Sequence, residues 1–287
     1  MLGFGKRAGD SASNGQPGPF GPYYLHELIN SGGMAEIWLA TDQHKQQYAL
    51  RRLHVSHRLD FVARRRFWRG CEILAKIPPH ELVIEYHTHG KIGGQLYLLM
   101  EYVEGANLKL LMAQVDPTLA EHVSNILIDM ALTLEHMHES RYIHRDFKPE
   151  NVMVTRNGSV RLVDFDLAIP RPDEPKKLSG NPGTPAYMAP EQLLREPVDH
   201  RIDLFAFGVT AYELLTFRKP FPGETPDDVL RRQLDRSIDF LAPREVNPDI
   251  PLGVEKVILK CLEREPDKRY PFMSVVVRDL QAALYVK

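Results

Sequence analysis

Between Tyr142 and Ala168 the chain reads YIHRDFKPENVMVTRNGSVRLVDFDLA, and four side chains in it have the types and spacing to do chemistry together: Asp146, Lys148, Asn151 and Asp164. Two short apolar runs, Val152 to Val154 and Val160 to Val163, flank Asn157-Gly158, a dipeptide that favours the positive backbone angles of a tight hairpin turn. The stretch therefore reads as loop, hairpin, loop. Asp146, Lys148 and Asn151 precede the first strand and Asp164 follows the second, so a hairpin brings all four to one end. Two carboxylates and a carboxamide are hard oxygen ligands of the kind Mg²⁺ takes, and a lysine beside them suits the charge of a phosphate chain.

HRDFKPEN followed by DFD resembles the catalytic and magnesium loops of eukaryotic-type protein kinases, HRDLxxxN and DFG. The lysine two residues after the aspartate resembles the serine/threonine branch. By that resemblance Asp146 orients a substrate hydroxyl and accepts its proton, Lys148 steadies the γ-phosphate of ATP, and Asn151 and Asp164 hold Mg²⁺. The implied fold is α+β and bilobal. A five-stranded antiparallel sheet with one main helix makes an N-lobe over 22–103, and a mainly α-helical C-lobe covers 104–287.

The elements that must position these groups fit within 287 residues, the size at which a single core stops growing. A net charge of −2 gives no electrostatic reason to expect nucleic acid or an anionic membrane as partner. Two cysteines far apart in sequence, Cys71 and Cys261, supply neither a zinc spacing nor a disulfide framework and fit a reducing compartment. No apolar run is long enough to cross a bilayer and no signal-peptide pattern opens the chain. A cytoplasmic protein is the expectation, with a protein substrate or signalling partner. The chain ends soon after its last expected helix, which reads as a piece of something longer.

Residues 1–21 are rich in Gly, Ser and Pro and are expected to form a flexible tail. Strand patterns follow: YYLHELI, EIWLAT and QYALRRLH. The turn between the first two occupies the place of the kinase glycine-rich loop. Matched to GxGxxG, its positions fall on Asn30, Gly32 and Ala35, with Gly33 beside them and Ile37 where the family has valine. Asn30 is one of the few non-glycine residues that tolerate positive φ.

The third strand departs from the family. Where a VAIK-like run is expected, Tyr48-Ala49-Leu50-Arg51 places arginine in the lysine position. Its planar fork is no simple substitute for a compact ammonium at a crowded phosphate site. Residues 58–77 are expected to be helical, and the glutamate that pairs with the family lysine falls on Gly70. Glu72 lies about 200° around the helix from it, so it faces the site only if Gly70 bends the helix. A further departure is Asp166, which replaces the glycine of DFG and offers Arg51 an alternative partner.

Leu82 to Tyr86 and Gln95 to Glu101 are expected to complete the sheet. LYLLMEYVEG resembles the hinge between kinase lobes, with Met100 as gatekeeper, the backbone of Glu101 and Val103 meeting adenine, and Ala49 and Met153 on either side of the ring. Beyond Gly105, the stripe Val123, Ile126, Leu127, Met130, Leu134 and Met137 marks a packed helix, and 202–217 is apolar almost all round. Asp203 is expected to accept from backbone N–H groups of the catalytic loop. Residues 169–183, basic and proline-punctuated, resemble an activation segment. There Ser179 is a candidate phosphorylation site and Arg145 its candidate receptor. Thr184 resembles the threonine lining the substrate site. Glu191 resembles the glutamate of APE, paired with Arg269. Two functions follow: an ATP-dependent serine/threonine kinase of reduced or atypical activity, or a pseudokinase that binds nucleotide or partners without transfer.

Overall fold

The computed structural model describes residues 16–235 and 240–285, and these divide into two compact units. The first comprises the chain up to Pro79 together with Ile84–Val103; the second comprises His80–Val83 and the chain from Glu104 onward.

The first unit is a six-stranded antiparallel sheet with one main helix. Its strands are β1 (Gly18–Phe20), β2 (Tyr23–Ser31), β3 (Ala35–Thr41), β4 (Gln47–Leu53), β5 (Tyr86–Ile92) and β6 (Gln95–Met100), in spatial order β1-β2-β3-β4-β6-β5. Five strands and a tail running to residue 21 are the sequence expectation, and β1 corrects both for residues 18–20; residues 1–15 lie outside the described residues. The cause is Phe20. Its ring is buried and meets Tyr97 of β6 edge-on at 5.9 Å, although β1 and β6 are far apart in sheet order. Only a strongly twisted, curled sheet permits that contact. Inside the curl lie Phe20, Leu25, Trp38, Ala40, Leu50 and Leu99, each large side chain contributing about 1.5–3 kcal/mol by burial.

The same curl encloses a charge pair. Arg52 and Glu36 are cross-strand partners, both buried and ion-paired, with the guanidinium 5.2 Å from the Trp38 ring and 5.5 Å from the Phe20 ring. Helix α1 (Phe61–Leu74) starts later than the expected residue 58 because Asp60 caps it, accepting from the N–H groups of Val62 and Ala63 at 3.0 Å. Its buried residues include Ala63, Phe67, Gly70, Cys71 and Leu74.

The strand expected at Leu82–Tyr86 begins only at Tyr86. Leu82 and Val83 are instead committed to the second unit. There the Leu82 carbonyl accepts from Leu162 N–H at 2.8 Å, and His80 stacks on His136 at 4.4 Å. Val83 makes only an isolated bridge to Leu162, and an apolar run buried in that way carries the same pattern as a short buried strand.

The second unit opens with β7 (Gly105–Asn107), α2 (Leu108–Gln114) and α3 (Pro117–Glu139). Short pairs follow: β8 (Tyr142–Ile143) with β11 (Ile169–Pro170), and β9 (Val152–Thr155) with β10 (Val160–Leu162), β7 completing the latter sheet. Helices α4 (Pro190–Leu193), α5 (Arg201–Thr216), α6 (Pro226–Leu234), α7 (Pro243–Val246), α8 (Leu252–Cys261) and α9 (Met273–Tyr285) make up the rest. Fourteen of the sixteen α5 residues are buried, so it is the central helix its all-round apolar pattern predicts. The closing helix α9 is described to Tyr285.

Candidate active site

The site in the second unit is built on the β9–β10 hairpin. Val152–Thr155 pairs antiparallel with Val160–Leu162, and Gly158 takes φ +79° in the turn. At the other end the Asn151 carbonyl accepts from Val163 N–H at 2.9 Å. That bond sets Asn151 beside the residue preceding Asp164, as the hairpin reading requires.

Around Asp146 the polar groups close on one another. Its Oδ2 accepts from Lys148 Nζ at 2.8 Å and from Asn151 Nδ2 at 3.1 Å, while the Asn151 amide also donates to the Asp146 carbonyl at 2.8 Å. Lys148 Nζ donates further to Thr184 Oγ1 at 2.9 Å. One ammonium thus bridges a carboxylate and a hydroxyl from a loop 36 residues away. Asn151 spends its amide nitrogen on Asp146, which leaves the amide oxygen as its atom for a cation. Asp164 takes φ +65° and accepts from Asp166 N–H at 3.2 Å. Asp166 is buried. Among the described residues no group of three or more His, Cys, Asp or Glu gathers to hold a metal alone. Mg²⁺ does not need one, because it is bound through one or two such ligands plus phosphate oxygens; Asn151 and Asp164 fit that pattern.

The catalytic loop is anchored from beneath. Asp203, fully buried on α5, accepts from His144 N–H at 2.8 Å and Arg145 N–H at 2.9 Å, and its Oδ2 lies 2.9 Å from His138 Nε2. Burial alone would raise its pKa. The bond and charge of His138, with His144 and the Arg145 N–H, outweigh burial and hold the carboxyl below the usual carboxylate range. These bonds keep Arg145 at φ +68°, a conformation that costs a non-glycine residue about 1–3 kcal/mol. The Arg145 side chain is buried, with Nη1 and Nη2 each 3.4 Å from the carbonyls of Leu167 and Gly180; Ser179 next to Gly180 is exposed.

The loop carrying Thr184 is fixed at both ends. Gly183 takes φ +140°, and a β-carbon there would come 2.7 Å from Met188 Cε and 3.5 Å from Asp146 Oδ1. Tyr187 donates to Glu213 Oε2 at 2.5 Å, and Lys109 donates to Glu213 Oε1 at 2.7 Å. Burial first, then the Glu213 charge, pushes the Tyr187 hydroxyl above its ordinary pKa. Glu191 and Arg269 form a buried bidentate pair, Nη1 to Oε1 at 2.6 Å and Nη2 to Oε2 at 2.8 Å.

In the first unit the glycine-rich turn joins β2 to β3. Asn30 pairs with Ile37 in extended backbone, so positive φ is not required of it. Gly32 N–H donates to the Ala35 carbonyl at 3.0 Å, and neither Gly32 nor Gly33 takes positive φ. A β-carbon would meet nothing within 4 Å at Gly33 and only the Ala35 carbonyl, at 3.7 Å, at Gly32. The fold itself therefore does not demand glycine at either. Two histidines not singled out from the sequence hold this turn. His54 Nε2 lies 2.8 Å from the Gly32 carbonyl and His57 Nε2 lies 3.0 Å from that of Gly33.

Arg51 on β4 pairs with Ile37 and Leu98, and its guanidinium lies 5.0 Å from the Phe67 ring centroid. Helix α1 is continuous through Gly70, and Glu72 is exposed, accepting from the Trp68 indole at 2.9 Å. The buried face of α1 therefore presents no carboxylate. Ala49 and Met100 are buried cross-strand partners. Glu101 donates its N–H to the Glu85 carbonyl at 3.0 Å, Val103 is half-buried, and Met153 is half-buried on β9 of the second unit.

A protein kinase domain model matches residues 23–280, and the chain belongs to that family. The relatives it matches include bacterial serine/threonine kinases. It is 33% identical to the probable serine/threonine-protein kinase SCO3848 of Streptomyces coelicolor over 92% of this chain and 40% of that protein. It is 32% identical to the probable kinase PknB of Corynebacterium glutamicum over 90% and 41%, and 32% identical to PknE of Mycobacterium tuberculosis over 93% and 46%. The chain thus spans about two-fifths of the length of the curated relatives it matches. Among the described residues no helix is long and apolar enough to cross a membrane.

Proposed function

We propose that this chain transfers the γ-phosphoryl group of ATP to serine or threonine hydroxyls of proteins, with atypical handling of the nucleotide. The observation that carries this reading is the Lys148 ammonium bridging Asp146 and Thr184 while Asn151 clamps the same carboxylate. A buried-edge cluster of this kind has little structural purpose of its own. In it Asp146 receives the proton of the attacking hydroxyl, Thr184 lines the acceptor's place, and Lys148 offsets charge on the transferred group. Asn151 and Asp164 hold Mg²⁺, which neutralises phosphate charge when bound. On the first unit, Gly32 and Gly33 admit the phosphates to the backbone. Ile37 and Ala49 belong to the nucleotide's strand surface, with Met100, Glu101 and Val103 at its end, and Arg51 supplies the cation.

A second reading, a pseudokinase acting through nucleotide or partner binding, is favoured by Arg51 together with the missing carboxylate on the buried face of α1. Misplacing one preorganised charge donor costs roughly a hundred- to a thousandfold in rate. Incubation with γ-labelled ATP, Mg²⁺ and a generic protein acceptor, beside Asp146→Asn, separates the readings. Label on the wild type alone supports transfer; equal label or none counts against it. A thermal shift with ATP and Mg²⁺ in the absence of label supports the second reading.

A further inference from the structure

A cavity of about 150 Å³ opens where α5 ends. Its floor is aromatic: Tyr212 and Phe221 are both buried, and the Phe240 ring lies 5.3 Å from that of Phe221. Its lining also includes three basic residues, Arg218, Lys219 and Arg232, among apolar ones. Among the described residues none of these three has a carboxylate within ion-pairing distance. The nearby acids have nearer partners. Glu245, whose charge also acts on Tyr212, accepts from Ala242 N–H at 2.6 Å, and Asp228, whose charge also acts on Arg232, is hydrogen-bonded to Thr225 and ion-paired with Arg231.

Three permanent positive charges around a hollow, none of them ion-paired to a carboxylate among the described residues, favour an anion. The size limits which. Small-molecule and cofactor sites run to about 300–1,000 Å³, so this one is too small for a nucleoside yet ample for a carboxylate or phosphate group. Its attachments point to the source. Lys219 Nζ lies 5.2 Å from the ring centroid of Tyr187, and Gln233, next to Arg232 on α6, donates to the Met188 carbonyl at 2.9 Å. Tyr187 and Met188 belong to the loop whose Thr184 receives the Lys148 bond. The cavity is thus tied from two sides to the loop that lines the acceptor's place.

We propose that this cavity receives an anionic side chain of the protein substrate, a carboxylate or a phosphate, and so gives the enzyme a preference for acidic sequence around the acceptor hydroxyl. This rests on the transfer reading above. The test uses three threonine peptides identical but for flanking Glu, phosphoserine or Gln, assayed with the wild type and with Arg218→Gln/Arg232→Gln. The expected result is a fall of about tenfold in kcat/KM on an acidic peptide, carried by KM, with the Gln peptide unchanged. The Gln peptide also controls for folding, and whichever of Glu or phosphoserine loses more identifies the source of the anion. Equal losses on all three peptides, or none, overturn the proposal. If the wild type phosphorylates no peptide, the transfer reading is what fails. Fluorescence anisotropy of the labelled acidic peptides then decides the cavity on its own: weaker binding by the double variant upholds it, and identical binding refutes it.

Discussion

Replacing Asp203 by asparagine keeps the size of the side chain and removes its charge beneath the catalytic loop. The carboxylate accepts His144 N–H at 2.8 Å, Arg145 N–H at 2.9 Å and the His138 ring at 2.9 Å. An asparagine oxygen can keep the Arg145 bond, but the amide nitrogen then faces the His144 N–H, a donor against a donor. Hydrogen bonds to a charged group contribute about 1.5–3 kcal/mol each, and the site is fully buried, so weakening two of them should cost about 3–5 kcal/mol. For a unit of this size that lowers Tm by roughly 6–20 °C. Because these bonds also hold Arg145 at φ +68°, its release displaces Asp146, and an ångström of displacement costs about a hundredfold in rate. The assays are a thermal melt and peptide phosphorylation, with Asp173→Asn as control, since Asp173 is exposed and its ion pair is with exposed Arg141. A melt within error of the control, or full activity at a lowered Tm, would show that Asp203 does not hold the loop. The sign with pH follows from the depressed pKa. This stabilisation is complete above the ordinary carboxylate range, about pH 4, and is lost as pH falls through the lower folded-state value.

Two further variants probe the departures and the tight approach. Arg51→Lys should lower phosphorylation about two- to tenfold. It gives up the stack on Phe67, worth about 0.5–2 kcal/mol, and gains no carboxylate on the buried face of α1; a rise in activity would mark the arginine as a mere defect. Gly183→Ala should lower kcat at least tenfold with the fold intact by circular dichroism, since φ +140° strains any residue with a β-carbon and its relief shifts the Thr184 loop, even though the Met188 tip at 2.7 Å can give way. Unchanged kcat would mean the loop position is not critical.

The parts of the site legible in the sequence are those made by neighbours in the chain. Asp146, Lys148, Asn151 and the hairpin lie within twenty residues, so turn chemistry and strand length bring them together. The helical period also suffices to show that Glu72 faces away from Gly70. What stayed hidden depends on distant contacts. His54 and His57 reach carbonyls 22 and 24 residues back, and Glu213 collects Lys109 from 104 residues away. In β1, three residues with two Gly or Pro carry no period, and only the curl that seats Phe20 on Tyr97 makes them a strand. Arg52 and Glu36 break the apolar alternation of buried positions, because their charges satisfy each other and the aromatic rings above them. Leu82 to Ile84 misled in the opposite sense, an apolar run that packs without joining the sheet.

The most direct measurement is the single-turnover rate of phosphoryl transfer from ATP to a threonine peptide by Lys148→Met, beside the wild type, with ATP affinity measured separately. Lys148 is the group that joins Asp146 to Thr184, and its loss should slow transfer by about a hundredfold or more while ATP binding changes little. An unaltered rate, or a loss confined to ATP affinity, would contradict the account.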